Sequence, residues 1–269
     1  MEIRDILVLL DKDSQAAGPY ALSMAAQLEA HLTAVALVPD RPIAGGLTEL
    51  PHNLLDAMYE ENHRAAEQAL EPFQRAEPSA VDAEIVTTGP SQSDERLFRW
   101  LARHFDLTIV QQPAPEGPVT DYLVEAALFG SGRPILLVPY VHTTPAQLGT
   151  VLIAWDESAT AARAIGDALP LLGMADRVEL VTVAEPRLGS DGPRARMMQH
   201  LSRHGIDVKF VSLASVGAVA EMLLSHAADN AADLIVMGGY GHSRLREFVL
   251  GGTTRALLTS MTIPTLMSH

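Results

Sequence analysis

The sequence predicts two tandem α/β domains, each a doubly wound parallel sheet with helices on both faces. Three observations lead there. First, the chain repeats itself in order. Ile6-Leu-Val-Leu-Leu-Asp11-Lys-Asp-Ser14 is echoed by Val151-Leu-Ile-Ala-Trp-Asp156-Glu-Ser158, and Asp106-Leu-Thr-Ile-Val110 by Asp233-Leu-Ile-Val-Met237. Arg133-Pro-Ile-Leu-Leu-Val138 is echoed by Ile263-Pro-Thr-Leu-Met267. Second, these apolar runs are continuous rather than alternating, as strands buried on both faces of a parallel sheet require. Third, amphipathic helical stretches separate them, and β-α-β alternation implies right-handed crossovers that cover the sheet.

In the second half the strands fall at 150–155, 178–183, 208–213, 233–237 and 263–267, with helices near 159–172, 192–204, 216–230 and 252–260. Ser158 suits the N-cap of the first of these helices, and Trp155 reads as core. The first half follows the same plan with a longer second crossover. Pro39 to Pro51 reads as a loop, and His52 to Arg75 as a helix with Leu55, Met58, Ala65, Ala69 and Phe73 on one face, covering the sheet. The predicted domains are 1–142 and 148–269, divided where Thr, Pro and Gly collect between Val141 and Gly149.

Composition narrows the function. A 48% hydrophobic, 19% charged chain of 269 residues supports a core. The net charge of -14 argues against a nucleic-acid backbone or an anionic membrane as main partner. Cysteine is absent, which excludes disulfides, thiol catalysis and Cys-ligated metal. Acidic residues interrupt the N-terminal run where a secretion signal would be basic and apolar, and no apolar run approaches the ~18 residues of a membrane span. The expected location is cytoplasmic.

The candidate site lies in the second half. The strand Asp233-Leu-Ile-Val-Met237 ends in Gly238, Gly241 follows, and after nine residues comes Gly251-Gly252-Thr253-Thr254 at the start of a helix. Glycines let a backbone curl tightly and let a ligand approach its amides, and the free N–H groups of a helix start seat phosphate. The first half lacks this pattern: Gln111-Gln-Pro-Ala-Pro stands where the glycine turn would begin, and Pro113 and Pro115 donate no N–H. Gly130-Ser-Gly132 precedes a proline strand rather than a helix and reads as a helix C-cap.

At these residues the chain resembles the universal stress protein family in its tandem form. The spacing of Gly238, Gly241 and Gly251, Asp156 after the first strand, and the strand-end Asp-Leu-Ile-Val-Met-Gly carry the resemblance. It implies the adenine nucleotide alpha hydrolase-like fold, five parallel strands in the order 3-2-1-4-5, with the ligand crevice where strands 1 and 4 diverge. It implies ATP as ligand, with ADP or AMP as alternatives and magnesium as a companion ion. Asp156 would face the adenine or ribose, Val183 would wall the base, and Met237, Gly238 and Gly241 would form the ribose and α-phosphate turn. Gly251, Gly252, Thr253 and Thr254 would cradle the outer phosphates, with Gly252 standing where the family pattern has a hydroxyl residue. The family pairs domains through their last strands, so the two halves are expected to pair as an intrachain pseudo-dimer. Homodimerisation of whole chains stays open, and the protein partner is unknown.

Three function classes follow: a nucleotide-binding stress-response module, a nucleotide-free scaffold, and a slow ATPase. Asp156, Glu157, His242 and Glu247 are the obvious polar groups near the site, and no base, arginine finger or metal carboxylate pair can be assigned among them. No catalytic residue is therefore designated. His200 and His204, four apart on a helix, have no third ligand at a recognisable spacing, so no metal site is designated either.

Overall fold

The computed structural model describes residues 2–10, 14–39, 52–74, 80–88, 94–112, 121–183, 191–215, 217–239 and 252–269. It divides into two compact units, Ile3–Arg133 and a second made of Met1–Glu2 with Pro134–His269.

In the first unit the elements run β1 (Asp5–Leu10), α1 (Ala17–Leu28), β2 (His31–Pro39), α2 (His52–Gln74), β3 (Val81–Thr88), α3 (Asp94–Ala102), β4 (Leu107–Gln111) and α4 (Asp121–Gly130). Its sheet is parallel, in the order β3-β2-β1-β4. Both faces of β1 are covered, since the consecutive residues Ile6, Leu7 and Val8 are all inaccessible to solvent. The continuous apolar run in the sequence is thus the signature of a central strand, each such side chain being worth roughly 1.5–3 kcal/mol on burial.

The buried stripe of α2 is Ala66, Leu70 and Phe73, not the predicted line through Met58, Ala65 and Ala69. Met58 is 43% exposed, and Ala65 and Ala69 are only partly covered. At about 100° per residue, Met58 and Ala65 lie a quarter-turn from the centre of that stripe. The side chain of Leu55 lies outside the described residues.

The second unit continues with β5 (Ile135–Val138), β6 (Thr150–Ala154), α5 (Ala159–Leu172), β7 (Arg177–Val183), α6 (Asp191–Arg203), β8 (Val208–Leu213), α7 (Val219–Asp229), β9 (Leu234–Gly238), α8 (Gly252–Ser260) and β10 (Thr265–Ser268). The order β8-β7-β6-β9-β10 is the expected 3-2-1-4-5, parallel throughout. β5, the last strand contributed by the first repeat, pairs antiparallel with β10, matching Thr265 to Leu137 and Met267 to Ile135.

The repeated aspartates have a structural task. Asp106 Oδ2 accepts from the N–H groups of Arg4 and Asp5 at 2.9 and 3.2 Å. Asp233 Oδ2 accepts from Thr150 N–H at 2.8 Å. Each carboxylate fastens the start of its repeat's fourth strand to the start of its first, fixing the register that delivers the opposite strand ends to a common crevice.

Candidate functional site

In the second unit the chain steps outward from β6 to β7 and β8, then returns to β9 on the other side of β6. Crevices form at such reversals, outside the carboxyl ends of the strands. Ala154 is in register with Met237, so Asp156 and Gly238, just beyond them, emerge at the same end. Val183 closes β7 at that end and is partly buried. Met237 is buried, which leaves its main chain as the part able to meet a ligand.

Asp156 is exposed, and its Oδ1 accepts from Ser158 N–H at 3.0 Å. The residue between them, Glu157, takes φ 66, a left-handed conformation uncommon for a residue with a Cβ. Ser158 then caps α5 as expected: its Oγ accepts from Ala161 N–H at 3.1 Å and lies 3.1 Å from Thr160 Oγ1. The aspartate and serine of the repeated motif therefore build one tight turn from strand to helix. Trp155 beside them is buried, as read from the sequence, and its main-chain N–H donates to Val181 carbonyl at 2.8 Å.

Gly238 has no room for a side chain. A Cβ there would sit 2.5 Å from Ala161 N and 2.6 Å from Thr160 Oγ1. The end of β9 therefore abuts the first turn of α5, and the protein's own packing requires glycine at this position. Gly252 opens α8, with Thr253 and Thr254 in its first turn. The side chains of these threonines lie outside the described residues, as do Gly241, Gly251, His242 and Glu247.

The first unit treats the corresponding place differently. Gln111 ends β4 where Gly238 ends β9, and its Oε1 accepts from the N–H groups of Ala16 and Ala17 at 2.8 and 3.3 Å. Ala16, the N-cap residue of α1, offers no side-chain acceptor of its own. A side chain from the sheet thus serves the N-cap amide of α1, where in the other repeat the N-cap amide is served by the local Asp156. Asp11, Pro113 and Pro115 lie outside the described residues. Gly130-Ser131-Gly132 ends α4, with Ser131 N–H donating to Ala127 carbonyl at 3.1 Å and Gly132 at φ 74, a C-cap as read from the sequence.

The sequence reading missed a charged cluster at the opposite end of the second sheet. Glu179 is fully buried within β7. It accepts from Lys209 Nζ at 2.9 Å and from His226 Nε2 at 2.9 Å. Burial pushes its carboxyl up, but the hydrogen bonds and charges of Lys209 and His226 outweigh burial and hold it below the ordinary 4.5. The signal was present as one acidic residue inside the apolar run Val178-Glu-Leu-Val. Its partners come from other elements and carry no sequence mark. His200 and His204 are exposed, their ring centroids 4.8 Å apart.

Residues 148–269 match the model of the universal stress protein family. That stretch, a little under half of the chain, is similar to the universal stress protein family. A curated universal stress protein from Synechocystis sp. is 31% identical over 139 residues. That match takes in 50% of this chain and 46% of the relative, so the shared stretch spans about half of either. In fold the likeness extends over both repeats. A universal stress protein from Archaeoglobus fulgidus DSM 4304 covers 100% of this chain and 99% of its own, with a TM-score of 0.74 at 18% identity. A putative universal stress protein from Pseudomonas aeruginosa UCBPP-PA14 covers 99% of this chain and 93% of its own, with a TM-score of 0.62 at 17% identity. Among the described residues no helix is long and apolar enough to cross a membrane.

Proposed function

We propose that this chain is a universal stress protein whose second half binds an adenine nucleotide, ATP in the first instance, and that it acts in the stress response through that occupancy. One observation carries the reading: the exposed carboxylate of Asp156 and the side-chain-free end of β9 emerge at one end of a family-matched sheet, at its switch point. Asp156 would accept from the ribose hydroxyls or the adenine amino group, and Val183 would supply an apolar wall. The main chain of Met237 and Gly238 would meet the ribose. The α8 start at Gly252 offers helix N-terminal amides for phosphate, with Gly241, Gly251, Thr253 and Thr254 completing the cradle on the sequence pattern.

The proposed stoichiometry is one nucleotide per chain, because the first repeat has Gln111-Gln-Pro-Ala-Pro where the second has its glycine turn. Titration calorimetry of the full chain with ATP, with and without magnesium, tests this. The expected result is one site, weakened roughly tenfold by Asp156→Ala, the worth of a hydrogen bond to a charged group. Two sites per chain would overturn the assignment to the second half. No binding at millimolar ATP would leave the scaffold reading in its place.

A further inference from the structure

The second glycine of the turn, Gly239, is held by both of its main-chain polar groups. Its N–H donates to the Ser268 carbonyl at 2.9 Å, and its carbonyl lies 3.0 Å from His269 Nδ1. A carbonyl oxygen only accepts, so Nδ1 carries the proton and donates. Ser268 is itself anchored, since its Oγ donates to Asp167 Oδ2 on α5 at 2.8 Å, and Asp167 lies 3.7 Å from Arg163 Nε. Gly238, one residue earlier, abuts the first turn of the same helix. The exit from β9 is therefore gripped on one side by α5 and on the other by the end of β10.

Gly238 and Gly239 have no side chains with which to hold the start of the turn, and glycine has the most conformational freedom to lose on ordering. Ordering it before the ligand arrives lowers the cost of binding. We infer that His269 is a positioning residue of the nucleotide site: its Nδ1–H fixes the Gly239 carbonyl and so presets the start of the phosphate turn. The inference rests on the nucleotide reading above, and neither the glycine spacing nor Asp156 includes this residue.

The test compares the full chain with His269→Leu, which removes the donor, and His269→Asn, whose amide can donate from nearly the same place without a charge. Amide exchange over the segment following Gly238 is measured without ligand, ATP affinity by calorimetry, and urea unfolding checks each variant's fold. His269→Leu is expected to speed exchange and to weaken ATP binding about fivefold, the worth of one net hydrogen bond. His269→Asn is expected to restore both. Unchanged exchange in His269→Leu would overturn the inference whatever ATP does. Faster exchange with unchanged affinity would overturn it too, as would failure of His269→Asn to restore either quantity. If the unaltered chain binds no ATP, the nucleotide reading falls and takes the binding role of His269 with it, while exchange still reports whether His269 holds the turn.

Discussion

The ends of β4 and β9 occupy equivalent places in two copies of one fold, yet they deal with the neighbouring helix in opposite ways. β9 ends in Gly238 pressed against the first turn of α5, and a local serine caps that helix. β4 ends in Gln111, whose long side chain reaches the first amides of α1. The difference teaches that a helix start must be satisfied from somewhere. The second repeat satisfies it from the turn itself, and the first from the end of its fourth strand. The loss of the glycine turn in the first repeat is therefore a structural replacement as well as a missing motif.

The sharpest way to break this comparison is to put a side chain on Gly238. Gly238→Val has to displace main-chain atoms of Thr160 and Ala161, and about 3 kcal/mol or more of stability is expected to go. The fall would be read from the urea midpoint, and a midpoint within error of the parent would sink the packing argument. Gln111→Ala should cost less, about 1–2 kcal/mol, the worth of a lost helix cap. If it costs nothing, Gln111 does not cap α1 in solution.

Two carboxylates at strand positions extend the contrast, with opposite signs. Burial and the nearby Asp106 and Asp82 raise the Asp5 carboxyl in the first repeat above 3.8, against the lowering influence of His31. Glu179 in the second repeat lies below 4.5. A depressed carboxyl adds stability that is complete above the unfolded value and is lost as pH falls through the folded one. A raised carboxyl adds stability that is complete below the unfolded value and is lost as pH rises through the folded one. Glu179→Gln is therefore expected to flatten the loss of stability below pH 4.5, and Asp5→Asn to flatten the loss above pH 3.8. Urea midpoints collected between those conditions and neutrality check both slopes, and parallel slopes in parent and variants would refute the assignment. The smallest effect belongs to Glu157→Gly, which relieves a left-handed residue and should stabilise the second repeat by about 0.5 kcal/mol once the freer unfolded chain is counted.

The elements were legible because period and repetition are written along the chain. The helices at 159–172 and 252–260 fall where the apolar spacing and Ser158 place them. The face of α2 was misjudged because apolar residues one position apart on a helix differ by about 100°, and the choice between neighbouring ridges depends on which one the sheet meets. At the site, Asp156 and Gly238 were visible as residue types, and their convergence followed from strand order. The grip of His269 on Gly239 was not visible, since one residue closes β10 and the other leaves β9.

The sequence by itself determined that two α/β repeats exist, where their strands and helices lie, and which repeat lost its glycines, because these are local properties of spacing and residue type. Only the tertiary structure decided that Gln111 caps a distant helix, that Glu179 is neutralised by Lys209 and His226, and that Ser268 and His269 hold the glycine turn. Those contacts join residues far apart in the chain. The folded sheet supplies the geometry that makes them hydrogen bonds, and no pattern along the chain encodes a partner that arrives from another element.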